Sequence, residues 1–403
     1  MRQRWITLSE SGWHDVATGY IKDAQVEQAL ECLDDMRRAG ARVQGWLYDM
    51  VVYVLCDMSE VDEALRIMKD RISMGESNIS ASVWYYLFDA ACEALHVSPS
   101  VSMLVLELIH SQYDAIYLIW RRRVEPQYLN PSSGQCLQVL NACARAGDVQ
   151  TATDVFRVLS TRSTNFSAHH YELLIRAYVA TGDIKTCLAI LCIMNGAGIR
   201  PSEASTLDIF HYLRASSPPR IHEAFCILQD LRKADRVIPT VALNCVIKAC
   251  VTRIGLTEAI EQYKLLHTLC AKGPNAATFN HLLAGCIDAG RKDTAIFLAS
   301  EMVALQVKPN GVTYEKLVAV CLQEEDYEDA FRYYGEMRGI GFVPKLGTFT
   351  AMVRRCGEKG DRRAWALLGT MKELGWDETG MRQWLMENWK GEMVDEQRVG
   401  ALS

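Results

Sequence analysis

The sequence is 403 residues long, and several of its absences narrow what it can be. No apolar run reaches the roughly 18 residues that a membrane-crossing helix needs. The run Leu188 to Met194 is bounded by Thr186 and Asn195 and is too short. Fourteen cysteines are present, yet no two have CxxC spacing, so the common zinc-site signature is missing. No HxE accompanied by CxxC occurs, which leaves a deaminase-type zinc centre without support. A Gly-rich phosphate loop and a nucleophile motif are missing too, so no enzyme activity is expected. Basic excess is also lacking: 43 Lys plus Arg stand against 49 Asp plus Glu, a formal net charge of −6. Binding to nucleic acid by bulk charge is therefore not indicated, although a local basic stripe remains compatible with this balance. The stretch Met1-Arg2-Gln3-Arg4 has no acid after it until Glu10. That composition is shared with transit peptides but is confined here to about nine residues.

A periodicity fills most of the chain. Pro201, Pro239, Pro274, Pro309 and Pro344 are separated by 38, 35, 35 and 35 residues. Alanines repeat the spacing: Ala29 and Ala64 are 35 apart, and Ala224, Ala259, Ala295 and Ala330 follow at 35, 36 and 35. Two columns in fixed phase predict a helical-repeat array. Each unit reads as two helices. The first has apolar residues three and four apart and ends near a glycine such as Gly147, Gly182 or Gly290. The second contains the alanine column and ends before a proline, which has no N–H to continue the helix.

The units fall at about 10–44, 45–79, 81–126, 133–167, 168–202, 203–240, 241–275, 276–310, 311–345 and 346–380. The expected fold is all-α: a right-handed superhelical solenoid of about ten 35-residue repeats. Its expected organisation is an N-terminal segment (1–9), degenerate repeats (10–126), a joint (127–132), regular repeats (133–380) and a C-terminal cap (381–403) carrying Trp384 and Trp389. The cysteines Cys143, Cys250, Cys286, Cys321 and Cys356 share one register inside the first helices. Packed helix axes lie about 8–10 Å apart, too far for most disulfides, so the column reads as buried thiols. No metal and no cofactor is expected.

The endings Lys308-Pro309-Asn310 and Phe342-Val343-Pro344-Lys345, the string Val312-Thr313-Tyr314, and the segments Leu256-Thr257-Glu258-Ala259 and Val61-Asp62-Glu63-Ala64-Leu65 resemble the pentatricopeptide repeat consensus. The resemblance covers about 10–380 and is sharpest over 168–202 and 240–345. It implies an organellar protein that binds single-stranded RNA, successive repeats addressing successive bases. In such repeats the fifth residue and the last residue face the base. Carried over, the base-reading positions are Asn244 with Asn275 and Asn280 with Asn310, together with Thr350. Consecutive Asn/Asn pairs resemble a pyrimidine-reading combination that favours cytosine. Val241, Ala277 and Val312 fall at the second position, where a side chain sandwiches the base. The pairs Leu137/Ser167, Glu172/Ser202, Leu207/Thr240 and Glu315/Lys345 depart from the pattern, as do His14/Gln44 and Asp49/Ile79.

Arg176, Lys248 and Arg354 lie one helical turn beyond the fifth position, on the same helix face, and are phosphate candidates. The implied role is to stabilise, process or support translation of an organelle transcript, with the mitochondrial matrix the expected compartment. The alternative is a protein-interaction scaffold, such as a mitochondrial ribosome-associated subunit or an assembly factor.

Overall fold

The computed structural model describes residues 8–75, 79–94, 113–124, 129–162, 164–217, 219–270 and 272–390. Most of the segment 1–9, part of the joint 127–132 and the tail beyond 390 lie outside the described residues. Every regular element among the described residues is helical. The chain divides into two compact units, Met1–Cys187 and Leu188–Ser403.

In the first unit the helices are α1 (Glu10–Lys22), α2 (Val26–Arg38), α3 (Gly45–Asp57), α4 (Val61–Ser73), α5 (Ala81–Ala94), α6 (Ser133–Ala146), α7 (Val149–Thr161) and α8 (Ala168–Ala180). Before α6, a widened π turn covers Trp120–Val124. The helix α9 (Ile184–Gly196) carries the division between the units. The second unit continues with α10 (Leu207–Ala215), α11 (Ile221–Lys233), α12 (Thr240–Arg253), α13 (Leu256–Lys264), α14 (Ala276–Ala289), α15 (Lys292–Ala304), α16 (Gly311–Cys321), α17 (Glu328–Gly339), α18 (Leu346–Lys359), α19 (Arg363–Glu373) and α20 (Thr379–Asn388).

The stacking rule is the same within each unit. A first helix packs on its own second helix and on the next first helix: α6 on α7 and α8, α14 on α15 and α16. Local signals set the boundaries. Ser132 and Gln135 form a reciprocal capping box at the start of α6. Gly290 closes α14 with φ of 61°, a left-handed conformation that a side chain resists. The alanine column is the contact surface of the second helices: Ala29, Ala64, Ala224, Ala259, Ala295 and Ala330 are all fully buried. Each lacks the bulk that would hold neighbouring helices apart.

All fourteen cysteines are free, and thirteen are buried. Burial pushes the thiols of Cys250 and Cys356 up to about 12, and those of Cys286 and Cys321 to about 11. They stay protonated and pack as small apolar groups. At the C-terminal end α20 docks on α18. A side chain at Gly357 would meet Leu385 Cδ1 at 2.5 Å, so this glycine allows the close approach that buries Leu385. The Trp365 and Trp389 rings meet with centroids 5.7 Å apart.

Candidate nucleic-acid interface

The first helices α12, α14, α16 and α18 carry most of the singled-out residues. Their starts set the register. Because α12 begins at Thr240, Asn244 is its fifth residue, matching Asn280 on α14, Glu315 on α16 and Thr350 on α18. Val241, Ala277 and Val312 are the second residues of their helices. The first two are half-buried and Val312 is exposed.

Asn275 is the N-cap of α14. Its Oδ1 accepts the Thr278 backbone N–H at 3.1 Å, and Thr278 Oγ1 accepts the Asn275 N–H at 3.1 Å. Asn310 caps α16 in the same way, with Thr313 as partner at 3.0 and 3.2 Å. The fifth-position asparagines reach across to these caps. Asn244 Nδ2 donates to Asn275 Oδ1 at 3.1 Å, and Asn280 Nδ2 donates to Asn310 Oδ1 at 3.3 Å. The threonine hydroxyls donate back, to Asn244 Oδ1 at 2.7 Å and Asn280 Oδ1 at 2.9 Å. Asn244 and Asn280 are consequently buried, at 2% and 8% exposure, while Asn275 and Asn310 are exposed. Since each cap oxygen must accept a backbone N–H, its amide nitrogen is turned outward. Among the described residues, neither Asn275 Nδ2 nor Asn310 Nδ2 has a hydrogen-bond partner.

One repeat further, the same place holds an ion pair. Glu315 Oε1 accepts the Lys345 backbone N–H at 2.9 Å, and Oε2 lies 3.3 Å from Lys345 Nζ. The fifth and last residues therefore touch in all three repeats, but only the asparagine pairs present a neutral donor. Thr350 is half-buried at the equivalent place on α18.

The phosphate candidates are dispersed. Arg176 is exposed on α8 in the first unit. Arg354 is exposed on α18, its guanidinium 5.5 Å from the Trp384 ring supplied by α20. Lys248 lies on α12 with Nζ 4.5 Å from the centre of the Phe210 ring. A cleft brings Lys248 together with Val241, Asn244, Cys245, His281 and Glu203. Burial first, then the ammonium groups of Lys248 and Lys316, push His281 down to about 4.

Sequence reasoning missed Thr278, Thr313 and His281. The threonines carry a readable signal, since Asn-x-x-Thr recurs 35 residues apart at two helix starts. No such signal exists for His281, because Glu203 comes from a distant part of the chain. Among the described residues no group of three or more His, Cys, Asp or Glu side chains is placed to hold a metal ion. None of the described helices is long and apolar enough to cross a membrane.

Paired helices in a 35-residue register, each first helix packed on its own second helix and on the next first helix within a unit, define a helical-repeat protein. Three family models match the chain: "Pentatricopeptide repeat-containing protein" over residues 133–266, "Pentatricopeptide repeat domain" over 297–359 and "PPR repeat" over 13–40. The chain belongs to the pentatricopeptide repeat family. Similar solved structures include the pentatricopeptide repeat protein PPR10 from maize, with 18% identity, a TM-score of 0.36, and coverage of 93% of this chain and 65% of that one. PPR10 in complex with an 18-nt psaJ RNA element has the same identity and TM-score, covering 93% of this chain and 56% of that one. Naa15/Naa10 bound to HypK-THB is 14% identical, with a TM-score of 0.27 and coverage of 91% and 63%. The chain thus spans between 56% and 65% of the length of these solved chains. No curated protein sequence matches it.

Proposed function

We propose that this chain binds single-stranded RNA and acts on an organelle transcript, in its stabilisation, processing or translation, within the mitochondrial matrix. The observation that carries the reading is the pair of consecutive networks Asn244–Asn275 and Asn280–Asn310. Each spends its inner amide on the protein and leaves one outward amide NH2, one repeat apart. That arrangement suits base edges offered one per repeat. Lys248 in the adjoining cleft adds a charge for the backbone. Protection or strand opening by a bound solenoid requires no catalytic group. The compartment rests on family resemblance, and imaging of the tagged protein in its own cells tests it.

The binding test uses purified protein and short single-stranded RNAs at low salt. Binding weakens as salt rises, because phosphate contacts release counterions. Changing Arg176, Lys248 and Arg354 together to Ala weakens binding to every sequence and flattens the salt slope. Unchanged affinity and slope remove these residues from the phosphate path. A second reading, a protein-interaction scaffold, has one observation of its own. Phe297, Val303, Ile340 and Val343, on or just after α15 and α17, are 58–72% exposed. Absence of RNA binding at low salt, with stable capture of a ribosomal or assembly protein, decides for the scaffold.

A further inference from the structure

The cleft that holds Val241, Asn244 and Lys248 is closed by His281, a residue that the base-reading pattern assigns no task. His281 follows Asn280 on α14, and its side chain is 16% exposed. Groups from three other elements face it. Lys248 comes from α12 and Lys316 from α16. Glu203, from the turn before α10, places Oε1 4.0 Å from His281 Nε2. Cys245 on α12 lines the same cleft, but burial pushes its thiol up to about 12 and it carries no charge at neutral pH. Asp288, two turns along the same helix, acts on the half-buried Lys316, as does Glu315.

A part-buried imidazole acted on by two ammonium groups is held neutral. Burial already disfavours its charged form, and each lysine adds to the cost. Glu203 is exposed and does not reverse this. Solvent screens the 62%-exposed Glu203, so the ammonium groups of Lys248 and Lys316 are the charges that act most on His281. A phosphodiester oxygen there offsets both lysines and accepts an N–H from the imidazole, which reverses the main electrostatic reason for its neutrality.

Building on the RNA reading, we infer that Lys248 and His281 form a phosphodiester-binding site in the cleft beside Asn244, in which His281 takes up one proton from solvent as the strand binds. The sign follows from linkage. The bound imidazole has the higher pKa, so affinity rises as pH falls from the bound value toward the free value of about 4. If phosphate restores an ordinary imidazole value near 6.5, affinity rises about tenfold from pH 7.5 to 5.5.

The test measures the Kd of an oligouridylate at constant ionic strength across that range. Uracil and the phosphodiester do not titrate there. Wild type should show the acid-side gain, and His281→Gln should bind RNA with the gain abolished. A pH slope shared by both proteins overturns the inference and leaves RNA binding intact. A second readout needs no RNA and no variant. The NMR titration midpoint of His281 in wild type should move up on adding sulfate, compared with chloride at equal ionic strength. If RNA does not bind but sulfate moves the midpoint, the RNA reading falls and the anion site stands. If sulfate leaves it unmoved and RNA does not bind, both fall.

Discussion

The side-chain amide of Asn280 donates to Asn310 Oδ1 across 3.3 Å, joining the fifth residue of α14 to the cap of α16. The same bond joins Asn244 to Asn275 one repeat earlier. The position proposed to read RNA is thereby also a joint between neighbouring repeats. Its inner amide is committed to the protein and its outer amide faces solvent.

This division of labour makes Asn310→Asp a clean probe. A carboxylate at the N-cap still accepts the Thr313 N–H and the Asn280 amide, so the joint is kept. What changes is the outward group, from a donor to an acceptor. Cytosine offers an N3 acceptor on its pairing edge and uracil an N3–H donor. Preference at one RNA position should move from cytosine toward uracil by about 1–2 kcal/mol. Asn275→Asp should do the same at the adjacent position. Selections on randomised RNA report it, and a preference that stays put refutes the assignment.

Thr278→Val tests the joint without touching the outward donor. The hydroxyl is fully buried, donates to Asn244 Oδ1 at 2.7 Å and accepts the Asn275 N–H. Valine preserves the shape and leaves both groups short of a partner. The expected loss of stability is about 1–3 kcal/mol, read as a lower urea midpoint. An unchanged midpoint would show that the network contributes nothing.

Ala295→Leu tests the stacking surface. Ala295 is fully buried in the contact face of α15. Extra methylenes there force neighbouring helices apart, at about 1–3 kcal/mol. A thermal melt that matches wild type would mean that the small side chain is not what sets helix separation.

Burial alone would raise the Asp361 carboxyl, but its donors hold it below the usual carboxylate range. Arg363 Nε lies at 2.8 Å, the Arg363 backbone N–H at 2.9 Å and Tyr327 Oη at 2.9 Å. A depressed folded value means the contribution is present above the unfolded value, near 3.8, and is lost as pH falls through the folded one. The gap in melting temperature between wild type and Asp361→Asn should therefore be constant near neutrality and narrow as pH drops below about 4. A gap independent of pH would rule out the ionised form as the stabilising one.

Much of the architecture was legible in the residues themselves. Helix starts and stops depend on local chemistry: a proline that cannot donate and a glycine at 290 that closes its helix; the asparagine caps at 275 and 310 were read only from the structure. The alanine column announced the packing face because helix separation responds to the size of one side chain. One boundary needed the structure. Pro239 is itself the cap of α12, so that helix begins at Thr240, one residue before the proline spacing places it.

The site was legible only in outline. Sequence register found Asn244, Asn280 and their partners, since those positions recur with the period. It did not show that Asn244 and Asn280 are buried or that α20 lays Trp384 against Arg354. Nor did it bring Glu203, Lys248 and His281 into one cleft. Backbone propensity, caps and periodicity act over a few residues and are written in order along the chain. Burial, amide orientation and the charge around an imidazole arise between helices distant in sequence, and only their packing decides them.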